Sequence, residues 1–194
     1  MKGATHDDLD RYYTPDGLAL ACVRRLFGAH RTPWDGSHVL EPSVGGGAFV
    51  RALRKNRGDT ITITGVDLDP DAKGLALCDH AITGDFPAVV ESLPKRQHLV
   101  IGNPPFTGPE AIRHVEAAFN AAPRGIIAMI LPWGPLGGVQ RWRHLMDGPN
   151  APAAVYPIAP RPWPAQVREV ALVVWTPGAA PVRTVSGPWL DWTP

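Results

Sequence analysis

Asn103, Pro104, Pro105 and Phe106 follow directly on the apolar run Leu99-Val100-Ile101-Gly102. Such a run, ending in an amide and two prolines, predicts a buried strand that stops abruptly. Proline has no N–H to continue the ladder and fixes its own φ, so the loop is stiff from its first residue. The Asn103 carboxamide is therefore held at the carboxyl end of a strand, the edge of an open α/β sheet at which ligands bind. An amide oxygen and peptide carbonyls tied back by prolines can accept hydrogen bonds from an exocyclic amino group. Phe106 adds a flat face on which a base can stack.

A second constellation lies upstream. Gly45, Gly46 and Gly47 fall between a short strand at Val39-Leu40 and a helix beginning at Ala48. Glycines in that place permit positive φ and close approach of backbone to a ligand, and the N–H groups opening the helix favour negative charge. Asp67 comes 20 residues after Gly47, at the end of the next strand. An acid there can accept the hydroxyls of a ribose. Asp69 is a second candidate for that role, or an N-cap for the helix after Pro70. The combination points to a nucleoside-bearing cofactor, although the third glycine of the dinucleotide fingerprint is absent. For the glycines taken alone, a tight turn without a ligand is the alternative.

Positioning these groups requires strands that alternate with helices. Thr14-Pro15-Asp16 opens a helix with Leu18, Cys22 and Leu26 on one face and Gly28 as its stop. Ala48 to Asn56 forms the next, with Phe49, Ala52 and Leu53 inward, arginines outward and Gly58 as its end. A strand carrying Ile61, Ile63 and Val66 leads to Asp67, a short helix covers Asp71 to Leu77, and a strand ends near Ile82. Pro109 to Ala122 is helical with Ile112, Val115 and Phe119 inward. Ile126 to Leu131 is the most apolar strand. Val139 to Met146 reads as a helix, and Val155–Ile158 and Val170–Trp175 as two last strands. The alternation predicts a doubly wound, mostly parallel α/β sheet. The final two strands lack a helix between them and are expected to pair antiparallel, which makes the sheet mixed.

The 194 residues suffice for one good-sized core. The start of the chain is polar and acidic and no segment is apolar enough to span a membrane, so a cytoplasmic protein without membrane contact is expected. Cys22 and Cys78 have no metal or redox spacing and read as small core hydrophobes in a reducing compartment. The seven histidines show no metal-ligand spacing and read as surface or strand-end residues; no metal is expected. Net charge is +1. Residues 1–120 carry 13 basic and 15 acidic side chains, and residues 121–194 six arginines against three acids. That imbalance fits a polyanion against the C-terminal half, and fits solvated surface arginines equally well.

Taken in order, these motifs resemble the S-adenosylmethionine-dependent amino-methyltransferases, and most closely the adenine-N6 DNA methyltransferases of the Asn-Pro-Pro-Phe type. Tyr12-Tyr13-Thr14-Pro15 is similar to their N-terminal Tyr-Thr-Pro motif. Glu41-Pro42-Ser43-Val44-Gly45-Gly46-Gly47-Ala48-Phe49 is similar to their glycine loop. Gly65-Val66-Asp67-Leu68-Asp69-Pro70 and Gly84-Asp85-Phe86 resemble their second and third motifs, and Pro160-Arg161-Pro162-Trp163 resembles a late loop whose aromatic packs on a flipped base. Val44 departs from the family, which has a small residue there.

The resemblance implies a class I, Rossmann-like domain over residues 1–194. Its sheet is seven-stranded with an antiparallel strand. In a departure from the family, the tail after Trp175 is too short for a separate target-recognition domain, and none is expected. It implies S-adenosyl-L-methionine as cofactor, bound by Tyr13, Thr14, Glu41, Ser43, Gly45, Gly47, Asp67, Leu68, Asp85 and Phe86. It implies a catalytic bend at Asn103, Pro104, Pro105 and Phe106, and DNA as partner, contacted by Phe106, Trp163, Arg161 and Trp133. RNA or a protein glutamine as acceptor, and a non-catalytic nucleotide-binding subunit, are the alternatives; the oligomeric state is not specified.

Overall fold

The computed structural model describes residues 13–29, 34–94, 96–106, 109–132, 151–159, 170–177, 185–186 and 190. Its elements are α1 (Asp16–Ala29), β1 (His38–Glu41), α2 (Ala48–Arg57), β2 (Thr62–Asp67), β3 (His80–Thr83), α3 (Phe86–Val89), β4 (Leu99–Gly102), α4 (Glu110–Ala121), β5 (Ile126–Pro132), β6 (Ala154–Pro157), β7 (Val170–Trp175) and β8 (Val185–Ser186).

The strands form a single sheet in the order β3-β2-β1-β4-β5-β7-β6-β8. Strands β1 to β5 run parallel to one another, and β7 runs antiparallel to both β5 and β6. The expected mostly parallel sheet with an antiparallel strand is therefore present. Beside its seven strands of four residues or more stands an eighth of two residues, β8, parallel to β6.

Side chains along the central strands alternate between two cores, one on each face of the sheet. Val39, Leu99, Ile101, Ala128 and Ile130 join α1 and α2 in one; Leu40, Val100, Ile127, Met129 and Leu131 join α3 and α4 in the other. Strands covered on both faces must be apolar throughout, which is why β4 and β5 read as continuous hydrophobic runs. In α1, Leu18, Cys22 and Leu26 are buried as their spacing requires. Gly28 does not stop that helix, which continues to Ala29. In α2 the buried face carries Phe49, Ala52 and Leu53, and Gly58 ends the helix at φ 56°. In α4, Val115 is buried, but Ala111, His114 and Ala118 share the inward face, while Ile112 and Phe119 pack partly buried at its margin. The reading of Val139 to Met146 falls outside the described residues.

The short helix expected over 71–77 is present only as a 3-10 turn at Leu75–Leu77, after a run of turns. Its amides bond three residues back: Ala72 to the Asp69 oxygen, Leu75 to Ala72 and Leu77 to Gly74. The Gly74 N–H instead donates to the Gly45 oxygen at 2.9 Å. The backbone here is tight against the glycine loop. A Cβ on Gly74 would lie 2.7 Å from the Gly47 nitrogen and would collide with Val44. Gly47 itself has φ 80°, a conformation that L side chains rarely adopt.

Because the obstruction is backbone, it cannot be relieved by a rotamer change. Gly74→Ala is expected to lose ~1–3 kcal/mol of stability, read as a lowered midpoint in thermal unfolding. An unchanged midpoint would show that the 71–77 turn does not rest on the glycine loop.

Candidate active site at the carboxyl ends of the central strands

Four adjacent strands each end in a polar side chain. Across the sheet, Asp85 follows β3, Asp67 ends β2, Glu41 ends β1 and Asn103 follows β4. At a strand spacing of about 4.8 Å, the row spans roughly 15 Å. Chain direction across the sheet reverses between β1 and β4, which places Glu41 and Asn103 on either side of the topological switch point. All four line a cavity of about 410 Å³, a volume typical of small-molecule sites.

The glycine loop forms one wall. Asp67 shapes it: Oδ2 accepts the Gly45 N–H at 2.7 Å and Oδ1 the Asp69 N–H at 2.9 Å. Each carboxylate oxygen has a second lone pair, so two hydroxyls of a ligand can still be accepted. Asp69 Oδ1 accepts the Asp71 N–H at 3.0 Å, a bond that closes the turn after Pro70. Arg51 reaches over from α2. Its Nη1 donates to the Gly46 oxygen at 2.6 Å, and its Nη2 to Asp16 Oδ1 at 2.6 Å. That exposed ion pair contributes little energy; its effect is to hold the loop against the start of α1. The Tyr13 ring lies on the loop, 3.2 Å from where a Cβ on Gly45 would stand. Thr14, Ser43, Leu68 and Phe86 also line the cavity, so the residues expected to hold a cofactor, apart from Gly47, converge on one hollow.

Glu41 is the least ordinary of them. It is only 2 % exposed, and its Oε2 has no hydrogen-bond partner among the described residues. Burial first, and then the negative charge of Asp67, push its carboxyl well above the usual range; Arg51 and a main-chain bond oppose them. A buried acid of raised pKa with an unfilled oxygen on a cavity wall suits a cationic ligand such as an ammonium, which would satisfy the oxygen and favour ionisation.

On the other side of the switch point, the Asn103 side-chain oxygen is buried, and Pro104 and Pro105 share the cavity wall. Phe106 stands off that wall, packed partly buried against the core under α1 and α2. Asp85 is ion-paired to Arg113 at 3.1 Å, and Arg113 also reaches Glu110 at 2.9 Å. Trp133, Arg161 and Trp163 lie outside the described residues. So do the other late arginines, Arg141, Arg143 and Arg168, and Trp189 and Trp192.

Three titratable cavity residues were not anticipated from sequence: Arg51, Glu110 and His114. His114 corrects the reading of the histidines as surface or strand-end residues, which holds for His38, His80 and His98. It is buried against Phe86 because it shares the inward stripe of α4 with Ala111, Val115 and Ala118. The helical spacing was the available signal. Burial pushes the Cys78 thiol up to about 12, in keeping with a packing role. Among the described residues, no three His, Cys, Asp or Glu side chains assemble into a metal-binding group, and no helix is long and apolar enough to cross a membrane.

No family model matches the chain. A segment of 103 residues, 53 % of the chain, is 34 % identical to the Type II methyltransferase M.TthHB8I of Thermus thermophilus and covers 22 % of that protein. The chain thus spans about a fifth of the length of this curated relative. Among solved structures, the methyltransferase subunit of a type I restriction-modification system from Streptococcus thermophilus superposes with a TM-score of 0.68 at 14 % identity, over 93 % of this chain and 48 % of that one. A putative RNA methyltransferase from Pyrococcus horikoshii superposes with a TM-score of 0.66 at 17 % identity, over 91 % and 92 %. The fold is that of the class I methyltransferases.

Glu41 has a pH signature. Its folded-state pKa is raised, so its contribution to stability is complete below about 4.5 and is lost as pH rises toward the folded value. Glu41→Gln removes the titration. The variant is expected to gain stability relative to the unsubstituted protein as pH rises above that point, in denaturant titrations run at several pH values. A difference independent of pH would mean that Glu41 is ionised in the folded state.

Proposed function

We propose that this chain transfers a methyl group from S-adenosyl-L-methionine to the N6 amino group of adenine in DNA. The observation that carries the reading is a single hollow joining the Asn103-Pro104-Pro105 bend to the glycine loop. A bend packed shut in the interior, cut off from that loop, would have left the motif without a use. The order of polar groups along the cavity supports it, with Asp85 for the purine, Asp67 for the ribose hydroxyls and Glu41 for the amino-acid ammonium. The similarity to a Type II methyltransferase over 103 residues and to a restriction-modification subunit favours DNA over other acceptors.

Bound there, the donor supplies a methyl group on a positively charged sulfur, already a good leaving group. The residues of this chain have the harder task, since the adenine amino lone pair is delocalised into the ring and is weakly nucleophilic. The Asn103 side-chain oxygen and the Pro104 carbonyl oxygen accept the two amino hydrogens and draw the nitrogen toward tetrahedral geometry. The prolines keep both acceptors aimed without reorganisation, so positioning and oriented dipoles together lower the barrier by several kcal/mol, on the order of 3–10. Nitrogen gains the methyl carbon as the carbon–sulfur bond breaks. The nitrogen, now positively charged and acidic, then loses a proton to solvent. A base stacked in a duplex cannot reach this bend, so the adenine must leave the helix. Trp163 is the stacking partner in this reading, since Phe106 packs against the core off the cavity wall, and Arg161 and Trp133 are the further contacts.

Two substitutions separate binding from chemistry. Asn103→Ala is expected to bind S-adenosylhomocysteine normally in calorimetry while turnover falls about a hundred- to a thousandfold, or ~3–4 kcal/mol. Near-normal turnover would remove Asn103 from the mechanism. Asp67→Ala loses an acceptor for the ribose and for the loop, and is expected to weaken binding by roughly tenfold or more; unchanged affinity would hand the ribose to Asp69 or another group. The acceptor is tested with isotopically labelled donor and separate DNA, RNA and protein fractions, followed by mass spectrometry of the released nucleosides and amino acids. Label in N6-methyldeoxyadenosine is the expected result. Label confined to RNA or to glutamine would overturn the DNA assignment while keeping the chemistry, and binding without transfer to any acceptor would indicate a regulatory subunit.

A further inference from the structure

His114 closes the cavity wall near Asp85 and has no part in the mechanism above. Its ring centroid is 5.7 Å from that of Phe86, the residue that follows Asp85. Helix α4 leans across α3 on the far face of the sheet, which brings a side chain from after β4 to the pocket beyond β3. The His114 Nδ1 lies 2.9 Å from the main-chain oxygen of Glu110. A carbonyl oxygen can only accept, so the proton is on Nδ1 and the neutral ring presents a lone pair at Nε2. Burial lowers the imidazole pKa and keeps the ring neutral, with Arg113 acting in the same direction. The Glu110 main-chain bond and the charges of Asp85 and Glu110 act against it.

This end of the cavity therefore offers two acceptors, the His114 Nε2 and the Asp85 carboxylate, whose Oδ2 also takes Arg113. An exocyclic amino group has two N–H bonds to give. A carbonyl in its place would set lone pairs against both acceptors and leave the nitrogen of the buried His114 ring unpaired, a mismatch that costs more than a lost apolar contact. We propose that His114 is a specificity-determining residue, which with Asp85 selects a 6-amino over a 6-oxo purine in the donor nucleoside. The proposal rests on the methyl-donor reading of the cavity.

Calorimetry without nucleic acid tests it, with S-adenosylhomocysteine and S-inosylhomocysteine as probes. The unsubstituted protein is expected to prefer the adenosyl conjugate. His114→Phe keeps the ring volume but lacks the acceptor. It is expected to lose about five- to tenfold in affinity for the adenosyl conjugate and little for the inosyl one, and His114→Gln, which restores an acceptor oxygen, should recover most of the difference. Should the phenylalanine variant unfold, nitrogen-15 NMR of the unsubstituted protein carries the test: the His114 Nε2 resonance should lie in the unprotonated range and move on adding the adenosyl conjugate. An affinity ratio unchanged by His114→Phe, or an Nε2 resonance indifferent to that ligand, overturns the proposal. A role for His114 toward the acceptor base alone would give that result. Failure of the unsubstituted protein to bind either conjugate would instead overturn the donor reading on which the proposal rests.

Discussion

The Asp67 carboxylate is the hinge of the structure. One oxygen takes the Gly45 N–H and the other the Asp69 N–H, so a single side chain ties the end of β2 to the loop leaving β1 and to its own outgoing turn. That turn returns the contact through the Gly74 N–H to the Gly45 oxygen. Charge-assisted bonds to backbone are stronger than neutral ones, and these act where glycines would otherwise leave the chain free. The cavity wall is consequently set by β2, not by the three glycines themselves.

The same carboxylate creates an electrostatic problem. Glu41 pairs in register with Gly65, and Asp67 lies two residues farther along β2, so two acids meet at the ends of neighbouring strands. Water cannot screen them at Glu41, which is buried. Burial and the Asp67 charge raise the Glu41 pKa, and Arg51 extends across the loop to oppose them. The polar row at the sheet edge is thus graded, with a buried acid of raised pKa beside the switch point, a backbone-bonded carboxylate next to it and an ion-paired one at the β3 end. A ligand with a cationic end, hydroxyls in the middle and an aromatic amine at the far end is complementary to that order.

Much of this was legible along the chain. Strands covered on both faces have to be apolar throughout, so Leu99–Gly102 and Ile126–Leu131 announce themselves. Helix α2 was readable because Phe49, Ala52 and Leu53 share a face that only a helix creates. Gly28 misleads because glycine ends a helix only where a left-handed turn or a competing partner takes over, and the backbone of α1 continues past it. Segment 71–77 misleads for a related reason: its composition suits a helix, but the amide of Gly74 is claimed by Gly45, a partner 29 residues away in sequence. Local propensity is a weak prior, and a tertiary hydrogen bond outweighs it.

By itself the sequence determined which groups could do chemistry and on which strand ends they stand, because apolar runs, glycines and prolines are local signals of where a strand must stop. Only the tertiary structure decided that Glu41 is buried with a raised pKa, that Asp67 serves the backbone before any ligand, and that His114 meets Phe86 from the helix after β4. Those properties depend on burial and on the distance between segments remote in the chain, and neither is written in the spacing of residues.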